Sequence, residues 1–234
     1  MAMGTRISRQ FALFLCVLLL AARAEAACAP VKPPYHVVQS QAFDKGAWSG
    51  TAAYAAEAKH RLPRLVIADA ACRILAHFTF GTTERDSFEY RSAIRFRALE
   101  NNPLGMPILL ASGVAAGGSN SLFETILLVR DARGWRDLLP KPAQTLIAGG
   151  IGIGDLGGKR GPGVAVWQDL PGPGANVDPH PFRATLYPLI GAALANPQVL
   201  RTKRTYDDWK TARQELGIAL EDELAAITDF DQYR

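Results

Sequence analysis

Phe88-Glu89-Tyr90-Arg91-Ser92-Ala93-Ile94-Arg95-Phe96-Arg97-Ala98-Leu99 alternates along its length. Phe88, Tyr90, Ile94, Phe96 and Ala98 fall on one side of an extended chain, and Glu89, Arg91, Arg95 and Arg97 on the other. Successive side chains of a strand point to opposite faces, so this period of two predicts a strand with one apolar and one charged face. Asn102-Pro103-Leu104-Gly105 behind it reads as a turn.

Working outward, residues 107–114 and 122–130 read as two more strands, joined by the small-residue loop 115–121. Ile126-Leu127-Leu128-Val129 is apolar on both faces, which suits a strand inside the molecule. Asp131-Ala132-Arg133-Gly134 is a tight turn in which Gly134 supplies a positive φ before Trp135. Residues 145–153 and 163–167 form the next expected pair across a glycine-rich loop. A proline-rich loop over 169–181 then leads to a strand over 182–189. Upstream, Leu65–Asp69 and Ile74–Phe80 are short apolar runs with strand character. Residues 48–61 stay open, because their alanines favour helix while Gly50 and the surrounding pattern permit a strand. Pro30, Pro33 and Pro34 start residues 27–47 as an extended arm.

The C-terminus changes character. Thr205-Tyr206-Asp207-Asp208 has the form of a capping box, Trp209, Ala212 and Leu216 share a helical face, and Gly217 is placed to end the helix. A second short helix is expected over 220–227, within a helical tail at 204–230. Short strands between Gly- and Pro-rich turns predict a mainly β chain. The expected form is propeller-like or a sandwich of antiparallel sheets, with a short C-terminal helical segment, in a single domain over 27–234.

Residues 1–26 carry the marks of a cleavable secretory leader. Arg6 and Arg9 precede an apolar run from Phe11 to Ala22, and Ala24-Glu25-Ala26 offers the small-x-small cleavage pattern. Loss of Arg6, Arg9, Arg23 and Glu25 with that leader lowers the formal charge from +4 to +2. Near-neutral charge and export argue against a nucleic-acid partner. The mature chain offers no second apolar run of spanning length, so no membrane span is expected after cleavage. The expected location is periplasmic or secreted. Cys16 leaves with the leader, so Cys28 and Cys72 remain as an even pair in an oxidising compartment, read as one disulfide. It would close a loop of about 45 residues, worth about 3–4 kcal/mol in the chain-entropy model. Lipidation of Cys28 is the alternative, opposed by Glu25 in the position where a lipoprotein signal has an aliphatic residue.

Gly152-Ile153-Gly154-Asp155-Leu156-Gly157 satisfies the dinucleotide-binding pattern literally, but the glycines run on into Gly158-Lys159-Arg160-Gly161-Pro162-Gly163. That run cannot be the helix whose N-terminus receives the pyrophosphate, so it predicts a hairpin loop and no cofactor. A phosphate loop is also excluded, since Arg160 stands where Ser or Thr belongs.

The same segment, Ile151 to Gly158 followed by Gly163-Val164-Ala165-Val166-Trp167, resembles one blade of the FG-GAP or VCBS type of secreted β-propeller. Leu65-Val66-Ile67-Ala68-Asp69 echoes its opening strand. The resemblance implies a propeller-like fold and a recognition role. Such blades bind calcium through several loop aspartates, whereas here Asp155 stands alone beside Lys159 and Arg160, so no metal is expected.

Arg91, Arg95 and Arg97 project from one strand face, with Arg85 just before it, and form the expected binding surface. Guanidinium groups present planar forks to paired oxygens and suit an acidic protein or an anionic envelope ligand. A solvated outer face shared with Glu89 is the plainer account of the same row. Catalytic patterns are missing: the four histidines, His36, His60, His77 and His180, are scattered, and no serine lies in a Gly-x-Ser-x-Gly elbow. Glu84, Asp86 and Glu89 cluster beside a turn, where carboxylates are usually solvated. Trp135, Trp167, Trp209 and Tyr187 read as packing residues, and Trp48 as an exposed aromatic. The expected function is a binding protein recognising a protein or envelope component. An envelope hydrolase acting through carboxylates such as Glu84 or Asp155, and a structural envelope protein, are the alternatives.

Overall fold

A computed structural model of the chain describes residues 31–43, 51–58, 61–80, 93–99, 101–115, 122–146, 149–170 and 178–220. These residues are arranged as three antiparallel sheets that follow one another along the chain. The first contains β1 (His36–Phe43), β2 (Thr51–Ala58), β3 (Arg61–Asp69) and β4 (Ile74–Thr79), each paired with the next. The second runs β5 (Ala93–Leu99), β6 (Ile108–Ala115), β7 (Leu122–Asp131) and β8 (Gly134–Asp137), with β9 (Ala143–Thr145) also paired to β7. The third runs β10 (Gly150–Asp155), β11 (Pro162–Asp169), β12 (Phe182–Ile190) and β13 (Ala193–Leu194), with β14 (Gln198–Arg201) also on β12. One helix, α1 (Trp209–Glu215), follows. The chain is mainly β, as the alternation predicts, and the described sheets stack without closing into a barrel or propeller.

The stacking follows from which side chains share a face. Ala53, Ala55, Leu65 and Ile67 of the first sheet pack against Ile94, Phe96, Leu109, Ala111, Ile126 and Leu128 of the second. The opposite face of the second sheet, through Ile108, Leu110, Leu127 and Val129, packs against Ile151, Ile153, Val164 and Tyr187 of the third. The run Ile126 to Val129 therefore divides its side chains between two cores, which is why it is apolar at every position. The outer face of the third sheet buries Ala165, Trp167, Phe182, Ala184 and Leu186 beneath Trp209, Ala212, Ile218 and Leu220.

Several local expectations change. The alanine-rich segment left open between helix and strand is β2: Ala53 and Ala55 are buried in the first interface, where small side chains let two sheets approach and packing overrides helix propensity. The expected arm over 27–47 contributes β1 to the first sheet. The strand expected over 145–153 is two strands in different sheets. Between them, Gly149 N donates to Leu146 O at 2.8 Å. The cap of α1 is Asp208 and not Thr205: Asp208 Oδ1 accepts from Thr211 N at 2.7 Å, while Tyr206 is held in a bridge to His180. Gly105, Gly134 and Gly217 adopt the positive φ that their turns require. The leader at 1–26, Cys28, Trp48 and most of the expected second helix lie outside the described residues.

The glycine run that mimics a nucleotide loop has a packing explanation. Gly150 and Gly152 lie under the indole of Trp167, and a Cβ on Gly150 would sit 2.5 Å from that ring. Trp167 in turn stacks on Trp209, with centroids 4.7 Å apart and planes 3° from parallel. Alternate glycines on β10 thus make a seat for an aromatic pair that fastens α1 to the sheet.

Candidate functional site

A cleft of about 870 Å³ opens where the β9 end of the second sheet faces the β12–β14 end of the third. One wall comes from β12. Phe182, Ala184 and Leu186 point into the core under α1, which by the two-residue period directs Arg183, Thr185 and Tyr187 into the cleft. Register extends these residues into cross-strand rows. Gln168, Arg183 and Arg201 are directly opposite one another across β11, β12 and β14, and Val166, Thr185 and Val199 form the next row. Lys141, together with Glu124 of β7 and Gln144 and Thr145 of β9, contributes further polar lining.

The electrostatics are uneven. Arg183 is half-buried and Arg201 and Lys141 are exposed. Among the described residues no carboxylate pairs with any of the three. Directly opposite like charges on a sheet repel, so the Arg183–Arg201 pair is unfavourable without an anion nearby. Glu124 is only 6% exposed, and Gln144 Nε2 donates to its Oε2 at 3.3 Å.

Behind the cleft, Asp137 fills the gap between β8 and β9 along the edge of β7. Its Oδ1 accepts from Leu127 N at 3.0 Å and Leu139 N at 3.1 Å, while its buried Oδ2 has no partner. Burial pushes the Asp137 carboxyl up to about 6, outweighing the two backbone donors and Arg136, with the Glu124 charge adding to the rise. Burial, and then the Asp137 charge, also raise the Tyr187 phenol above its ordinary value. Deeper in the second sheet, Ser112 Oγ and Thr125 Oγ1 satisfy each other at 2.8 Å.

Of the expected basic row, Arg95 and Arg97 share a face of β5, opposite Ser112 and Leu110 of β6. Arg95 is half-buried and its Nη1 donates to Ile94 O at 3.0 Å, whereas Arg97 is exposed. Arg85 and Arg91 lie outside the described residues, as do Glu84, Asp86 and Glu89. Neither Arg95 nor Arg97 lines the cleft. Asp155 Oδ1 accepts from Gly157 N at 2.8 Å, which makes it the anchor of the β10–β11 turn. Cys72 sits in the β3–β4 turn at φ 63°. Among the described residues no three His, Cys, Asp or Glu side chains converge as a metal site would require.

The cleft residues were missed because Lys141, Gln168 and Arg183 are far apart in sequence and meet only in the folded chain, and Arg201 joins Arg183 only through strand register. One signal was present, namely the alternation of Arg183, Thr185 and Tyr187 against Phe182, Ala184 and Leu186. Comparisons of the chain with protein-family models, with curated proteins and with solved structures found no match.

Proposed function

We propose that the chain is an exported binding protein, periplasmic or secreted, that takes its ligand in the cleft between the second and third sheets. The observation that carries this reading is the cleft itself, a concave space of about 870 Å³ whose polar side chains stand on paired strands. Its volume falls in the range of about 300–1,000 Å³ typical of small-ligand sites, and convergent polar groups on a fixed scaffold are what such sites use for orientation. Export rests on the leader features of residues 1–26, and it implies a Cys28–Cys72 disulfide. A relationship to FG-GAP or VCBS blades belongs to the same proposal and rests on the sequence of residues 151–167. The hydrolase reading draws nothing from Asp155, which is occupied in a turn.

The test is native mass spectrometry of the mature protein after incubation with envelope extract, alongside a Thr185→Phe variant that fills the cleft. Capture of a small molecule by the wild type and its loss in the folded variant is the expected result. Equal capture by both proteins, or by neither, removes the cleft as the binding site.

A further inference from the structure

We propose that the cleft receives the oxyanion group of a small hydroxylated ligand, a sugar acid or a sugar phosphate, with Arg183 and Arg201 holding the oxyanion. This rests on the cleft-binding reading above and deepens it by naming the ligand class.

Strand register makes the case. Arg183 lines the cleft, and Arg201, directly opposite it on β14, stands on the same face just beyond the lining. Cβ atoms in such pairs are about 5 Å apart, close enough for two guanidinium groups to grip one carboxylate or phosphate. No acceptor holds either guanidinium among the described residues, and Lys141 of the cleft lining is likewise unpaired. An anion held by the arginine pair removes the repulsion that the bare pair carries. Two exposed arginines elsewhere are held by carboxylates: Arg73 is bound to Asp69 at 2.7 Å and Arg136 to Asp131 at 2.7 Å.

The rest of the cleft fits a hydroxylated body. Gln168 stands beside Arg183 in the same row, Thr185 lies in the next row, and Thr145 of β9 is on the face of the second sheet turned towards them. Amide and hydroxyl side chains both donate and accept, as the hydroxyl groups of a sugar require. The partial burial of Arg183 within a concave space favours a compact ligand over a flat protein surface.

Calorimetry on the full mature protein at low ionic strength tests this with four probes: glucuronic acid, glucose 6-phosphate, inorganic phosphate and neutral glucose. At least one anionic sugar is expected to bind at least tenfold more tightly than glucose, and to weaken as salt is raised. Binding of glucuronic acid alone identifies a sugar acid, and binding of glucose 6-phosphate with inorganic phosphate identifies a phosphate. Arg183→Gln and Arg201→Gln should each weaken that probe at least tenfold while leaving the melting temperature unchanged or higher, since each relieves the like-charge pair. Arg97→Gln should leave binding unchanged. Equal binding of glucose, unchanged affinity in Arg183→Gln, or no binding by any probe at millimolar concentration each overturns the inference. If the Thr185→Phe comparison still shows a captured ligand and that ligand is uncharged, the cleft stands as the site and only the oxyanion assignment falls.

Discussion

Gln39 serves Phe96 as a substitute for a neighbouring strand. Its Nε2 donates to Phe96 O and its Oε1 accepts from Phe96 N, both at 3.2 Å. Phe96 lies on β5, an edge strand of the second sheet, and Gln39 belongs to β1 of the first. One amide side chain thus satisfies both main-chain groups that face outward from an edge, a position that would otherwise invite pairing with another chain.

Removal of that amide strands a donor and an acceptor together. Gln39→Leu is expected to lower stability by about 1–3 kcal/mol in urea unfolding. Gln39→Asn, one methylene shorter, should recover little of the loss. Equal stability of wild type and Gln39→Leu would show that water replaces the amide at no cost.

The hydroxyl pair in the second sheet makes a sharper test. Thr125→Val alone leaves Ser112 Oγ buried without its partner and is expected to cost about 1–3 kcal/mol. Adding Ser112→Ala should cost little more, because the polar group that had lost its partner is then gone. A double-mutant cycle reads the difference as a coupling free energy, and purely additive losses would contradict the pairing.

Asp137 gives stability an unusual pH dependence. Its carboxyl takes up protons more readily in the folded chain, at about 6, than its ordinary value of 3.8. The folded state therefore binds more protons between those values, and this group's contribution falls as pH rises from about 4 to about 6 and is level above. Asp137→Asn keeps an oxygen for Leu127 N and Leu139 N and removes the charge. The variant should gain on the order of 2 kcal/mol over wild type at pH 7.5, and much less at pH 4. Denaturant midpoints at both pH values check this, and a parallel pH profile in both proteins would refute it. The lowered carboxyls of Asp69, Asp131 and Glu215 act in the opposite sense, withdrawing support only below their ordinary range.

Gly163 tests the packing account of the glycines. A Cβ there would strike the backbone oxygen of Tyr187, which cannot swing away as a side-chain tip can. Gly163→Ala is expected to cost about 1–3 kcal/mol by thermal or urea unfolding. Gly158→Ala meets no neighbouring atom and pays only for its positive φ of 62°, so it should cost less.

The β class, the two-faced burial of residues 126–129 and the turns ending at Gly105 and Gly134 were legible in the sequence. Each is a local consequence of period or backbone conformation. Residues 145–153 were not, because an apolar run carries no mark of where the chain leaves one sheet for the next. β2 was ambiguous for a related reason: Ala53 and Ala55 become strand residues only through the sheet they press against. For the site, the visible charges on 85–97 drew attention, while Arg183 and Arg201 were scattered among ordinary surface positions until register aligned them.

The second sheet has no face of its own to offer water. Ile126 and Leu128 need the first sheet as cover, and Leu127 and Val129 need the third. Detaching either outer layer would uncover an apolar surface of the middle one, so neither can peel away cheaply and leave a sound remainder. The three sheets should therefore melt as one cooperative unit. Amide hydrogens of β6 and β7 should exchange last, at the rate set by opening of the whole molecule.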